Sequence, residues 1–103
     1  MGQTTRRDAL LARRLDLVAN VSALTAEALR LNQKRAGIEM EVLRLELEIG
    51  RNGVSAQLVR DLHEAQERAA AVMHECAACE DNIVAAEGDV EDIDRSLAAT
   101  DGN

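Results

Sequence analysis

The sequence predicts an all-α protein, an antiparallel two-helix coiled-coil hairpin that dimerises into a four-helix bundle. Three observations carry this. The chain has no proline, so nothing in it forces a helix break worth about 3 kcal/mol. Apolar side chains recur at alternating spacings of three and four through both halves. One Gly- and Asn-containing segment separates those halves.

In the first half, Leu10, Leu17, Leu24, Leu31, Ile38 and Leu45 fall one heptad apart at d positions. The matching a positions are Arg14, Val21, Ala28, Arg35, Val42 and Ile49. Leu at d with Val or Ile at a is a coiled-coil preference. Thr5 with Asp8 three residues later reads as a capping box, so the first helix is expected over about 5–50.

The segment Gly50-Arg51-Asn52-Gly53-Val54-Ser55 reads as the turn. Gly and Asn tolerate the left-handed conformation that ends a helix, and Ser55 is a suitable N-cap for the next. The second helix is then expected over about 55–99. Its d positions are Leu58, Ala65, Val72, Cys79, Ala86 and Ile93, and its a positions Leu62, Ala69, Cys76, Ile83, Val90 and Leu97. At 1.5 Å per residue each helix would be roughly 65 Å long. The whole chain, 1–103, reads as one domain.

A short link makes consecutive helices antiparallel, with facing residues whose numbers sum to about 107 on the turn-centred register. Ile49 then meets Leu58, Val42 meets Ala65, Leu31 meets Cys76, Leu24 meets Ile83 and Leu17 meets Val90. The g positions support this register, bringing Lys34 to Glu75 and Glu41 to Arg68. A one-heptad slip pairs Lys34 with Arg68 and Glu41 with Asp61, which repel. At the open end, Arg6, Arg7, Arg13 and Arg14 are expected beside Glu87, Asp89, Glu91, Asp92 and Asp94. Arg14 and Arg35 occupy a positions, where a long stem can lie along the seam while the guanidinium reaches water.

Both helices carry more apolar surface than one seam uses. Leu11, Leu15, Val18 and Leu29 make one extra stripe on the first helix, and Ala36, Met40, Leu43 and Leu47 another. The second helix adds Ala70, Ala71, Ala77, Ala78, Val84 and Ala85. Exposed together these exceed the apolar patch of an ordinary monomer, so a homodimer, or a helical partner protein, is expected. Its interface is expected to centre on Leu15, Leu29, Leu43, Ala70, Ala77 and Val84.

The chemistry-bearing patterns are few. The run His74-Glu75-Cys76-Ala77-Ala78-Cys79 holds one C-x-x-C. Two thiolates at that spacing can ligate zinc, and a dimer would supply four. A strong zinc motif has a second pair, which the chain lacks. Cys76 and Cys79 fall at a and d, where cysteine packs as a small hydrophobe, and His74 falls at the outer f position. Core packing is therefore expected, with no metal and no cofactor; a metal-binding or redox-responsive bundle is the alternative. Paired catalytic carboxylates need a cleft, and Glu39, Glu41, Glu46 and Glu48 lie along a helix surface. The sequence contains no Gly-rich phosphate loop, serine elbow or P-loop lysine, so no enzyme is expected.

Charge separates the halves. Residues 1–54 carry nine basic and seven acidic side chains, and residues 55–103 three and twelve, for a net −7. An acidic chain without aromatics is poorly suited to phosphate-rich partners. No apolar run approaches a membrane span, the N-terminal residues resemble no secretory leader, and two cysteines fit a reducing cytoplasm. In architecture the pattern resembles the Rop RNA-binding dimer, type III secretion stalk proteins and the hairpins of the WXG secretion family. The WXG tripeptide is absent from the turn. The Rop resemblance implies nucleic-acid binding as a further alternative. The functional expectation is a non-enzymatic protein-protein interaction module serving as adaptor, chaperone or assembly scaffold.

Overall fold

A computed structural model describes residues 2–101, with side chains from 5 to 100. It contains two α-helices, α1 (Gly2–Asn52) and α2 (Ala56–Asp101), packed against each other as a hairpin. No strand occurs among the described residues. No helix among them is long and apolar enough to cross a membrane.

The ends of α1 differ from the expected ones. The helix begins at Gly2, so Thr5 and Asp8 sit within it and Thr5 is not its N-cap. At the other end α1 runs through Gly50, Arg51 and Asn52. A helical glycine costs only about 1 kcal/mol relative to alanine, too little to stop a helix already supported by packing at Leu45 and Ile49. The stop comes at Gly53, the one described residue with positive φ, at 87°. Its amide donates to the Ile49 carbonyl at 2.9 Å, the left-handed closure that favours glycine. Ser55 then caps α2 as expected. Its Oγ accepts from the Leu58 amide at 3.1 Å, and its carbonyl accepts from the Val59 amide at 3.0 Å. The turn is thus Gly53, Val54 and Ser55.

The chain divides into two compact units, a turn-proximal one, Ala28–Ala78, and a terminal one, Met1–Glu27 with Cys79–Asn103. In the turn-proximal unit the seam buries Leu31, Leu45, Ala65, Val72 and Cys76, with Ala65 completely inaccessible. Ala28, Ile38, Val42, Ile49, Leu58, Leu62 and Ala69 are half-buried, because a two-helix seam covers each side chain from one side. Two ion pairs across the seam mark the register. Arg68 donates to Glu41 at 2.9 Å, and Lys34 stands 3.8 Å from Glu75. These are the two g-position pairs the antiparallel register predicts.

In the terminal unit Leu17, Cys79 and Ala86 are buried, and Leu10, Val21, Leu24, Ile83, Val90, Ile93 and Leu97 half-buried. Arg14 Nε donates to Asp94 at 2.7 Å, so the expected basic-to-acidic neutralisation is realised at this pair. The hydrogen bond and the nearby charge of Asp94 raise the Arg14 pKa above its already high ordinary value. A raised basic pKa keeps its stabilising contribution at every pH below the arginine range. Both seam arginines reach water. The Arg14 side chain is 42% exposed, and the Arg35 side chain, 39% exposed, lies 3.7 Å from Glu39. Among the described residues none that is polar or charged is buried.

Candidate interaction surface

All six expected interface residues fall on outer b positions, each one residue and about 100° around the helix from a seam a position. Leu15 is 72% exposed, Val84 69%, Leu29 61% and Leu43 50%; Ala70 and Ala77 are exposed as well. These residues are outside because α1 and α2 each present only a and d to the other helix. Leaving several leucines largely in water forgoes about 1.5–3 kcal/mol for each side chain that full burial would supply.

The turn-proximal unit holds the densest part of this surface. Met40, Leu43 and Leu47 line a shallow groove on α1, edged by Arg44, Glu48, Arg51 and Asn52. Met40 is 67% exposed and Leu47 51%. In the terminal unit a second shallow groove runs between the helices, lined by Val18, Val21, Ser22, Glu87, Val90 and Glu91. The apolar members of both grooves were visible in the heptad pattern. Of their polar edges, Glu48, Glu87 and Glu91 were legible as surface carboxylates, whereas Arg44, Arg51 and Asn52 beside the α1 groove were not read as its rim.

Cys76 and Cys79 are buried free thiols, packed in the seam as their heptad positions imply. Cys76 Sγ lies 3.8 Å from Asn32 Oδ1 in the turn-proximal unit, and Cys79 Sγ lies 3.4 Å from the Leu24 carbonyl in the terminal unit. Each thiol is thus a weak donor to one oxygen. His74 is exposed on the outer face. His63, also exposed, sits 3.1 Å from Glu67 one turn away. Among the described residues no group of three or more His, Cys, Asp or Glu side chains converges as a metal site.

Reaction of a buried thiol with an alkylating reagent requires local opening. Iodoacetamide is therefore expected to label Cys76 and Cys79 at least about a hundredfold more slowly in the native protein than in urea. Mass spectrometry of quenched samples reads this directly, and native labelling at the unfolded rate would remove both cysteines from the core.

No family model matches the chain, and neither the curated proteins nor the solved structures contain a significant match.

Proposed function

We propose that the chain is a non-enzymatic protein-protein interaction module, a coiled-coil hairpin that pairs with a second copy of itself as a scaffold or adaptor. The observation that carries this reading is the exposed apolar face of α1, with Leu29, Met40, Leu43 and Leu47 each at least half in water. Two hairpins burying such faces against each other form a closed, symmetric four-helix assembly, and closed homodimers are the commonest oligomers. The negative charge, −7 overall, favours protein over nucleic acid as the partner. The free thiols Cys76 and Cys79 suit the reducing cytoplasm we propose as its setting.

Native mass spectrometry of protein purified without chelator, run at several concentrations, tests this. A metal-free dimer is the expected result. A clean monomer at all concentrations would reject self-association, and a dimer carrying stoichiometric zinc would move the function to Cys76 and Cys79.

A further inference from the structure

The exposed face of α1 in the turn-proximal unit has a heptad frame of its own. Taking Gln33, Met40 and Leu47 as its a positions places Leu29, Ala36, Leu43 and Gly50 at its d positions. All seven are exposed. At 100° per residue this second seam lies about 150° around the helix from the first, so α1 can serve both at once.

The residues flanking this second seam sort by sign. Along one edge, at its g positions, stand Asn32, Glu39 and Glu46; along the other, at its e positions, stand Arg30, Gly37, Arg44 and Arg51. In a parallel pair of helices a g residue faces the partner's e residue five positions further on. Glu39 then faces Arg44 of the second copy, and Glu46 faces Arg51. Two-fold symmetry doubles these to four attractive contacts. An antiparallel pair brings like edges together, Glu beside Glu and Arg beside Arg. Gln33 agrees with the parallel arrangement, since there its amide meets the amide of its own counterpart, the kind of polar a layer that fixes register.

Within one chain these charges are lightly engaged. Arg44 is 3.2 Å from Glu48 and Glu39 is 3.7 Å from Arg35, all exposed pairs on one helix, which are cheaply exchanged. Glu46 and Arg51 make no ion pair among the described residues. The corresponding face of α2 lacks this pattern. There polar Glu67 and His74, at f, stand between Ala70 and Ala77, at b, and Ala71 and Ala78, at c, so its small residues form no continuous seam.

We propose that the Leu29–Leu47 face of α1 docks in parallel register onto the same face of a second copy of this chain. This rests on the self-association proposed above and names its surface and polarity. The helices then lie in the order α2, α1, α1, α2, a layer rather than the square bundle that sharing the face between both helices would make.

Sedimentation equilibrium of the full chain and of two charge variants tests the seam. Glu39→Lys with Glu46→Lys places cations opposite Arg44 and Arg51. Arg44→Glu with Arg51→Glu places anions opposite Glu39 and Glu46. Four contacts turn from attraction to repulsion in each, so each variant alone is expected to dimerise about a hundredfold more weakly. An equimolar mixture is expected to recover a heterodimer. Far-UV circular dichroism checks that both variants remain helical, which substitutions at exposed positions allow. If the unaltered chain dimerises while both variants do so equally well, or if mixing restores nothing, the seam is wrong and self-association stands. If the unaltered chain is monomeric, both fall.

Polarity is read by disulfide trapping. Ala36→Cys and Gly50→Cys, made separately, are each expected to cross-link to themselves, and a Cβ at Gly50 meets nothing within 4 Å. An antiparallel pair has its two-fold axis near one site at most, so trapping at only one overturns the parallel register. Ala70→Glu with Ala77→Glu is expected to leave the dimer intact; dissociation would overturn the assignment of the interface to α1 alone.

Discussion

Leu45→Ala lowers the unfolding free energy by about 3 kcal/mol, inside the range of roughly 2–5 for leucine truncations in packed cores. Leu45 is 2% exposed at a d position of the turn-proximal seam, and the register sets Leu62 opposite it. Neither helix has another layer above or below that can move in, so the space left behind stays open. Against a total stability of about 5–15 kcal/mol for a domain, the loss is large and readable in a urea titration followed by far-UV circular dichroism. Leu43→Ala is the matched control, since Leu43 is two residues away on the same helix and 50% exposed. At concentrations low enough to keep the chain monomeric it is expected to cost less than about 1 kcal/mol. Equal losses from the two would mean that the a and d positions do not form the core.

Val72→Asp has the larger effect. Val72 is 1% exposed, and no buried polar or charged side chain stands nearby to receive a carboxylate. An unpaired charge in such a place costs about 3–5 kcal/mol at neutral pH, a large share of the total. The loss depends on pH with a definite sign. Burial disfavours the ionised form and raises the carboxyl pKa in the folded state above its unfolded value near 4. The folded state therefore binds more protons, and stability falls as pH rises from about 4 towards neutrality. Melts of the variant are expected to improve on acidification through that window, whereas those of Val72→Asn, which carries no charge, are expected to show no such recovery. A pH-independent Val72→Asp melt would place the side chain in water.

The fold was legible because two regular signals agreed. Leu31 and Leu45 face Ala65 and Val72 across the seam of the turn-proximal unit, Leu17 lies across from Cys79 and Ala86 in the terminal one, and all seven are buried. Register was legible from charge, since only one antiparallel alignment brings Lys34 to Glu75 and Glu41 to Arg68. Helix ends were less so. Thr5 and Gly50 have the right chemistry for boundaries, but neither blocks a helix by itself, and a propensity of about 1 kcal/mol at Gly50 does not end a helix packed at Leu45 and Ile49 just before it. Gly53 differs only in adopting a positive φ, which composition does not reveal. The exposed apolar residues were equally plain in the pattern. An occupant for that face was not, because exposure in one chain names no partner; the self-docking proposed above rests on the charges at Glu39, Glu46, Arg44 and Arg51.

The three-residue turn also orders the assembly of the hairpin in time. The Glu41–Arg68 pair closes a loop of 27 residues, and the Arg14–Asp94 pair one of 80. Direct closure of the longer loop costs about 1 kcal/mol more in chain entropy, and many more residues must be arranged before any contact rewards it. Once the layers next to Gly53 have formed, each later layer adds only a heptad per helix. The chain thus closes like a zipper from the Gly53 end. In stopped-flow urea jumps Leu45→Ala is therefore expected to slow refolding, and Leu17→Ala mainly to speed unfolding.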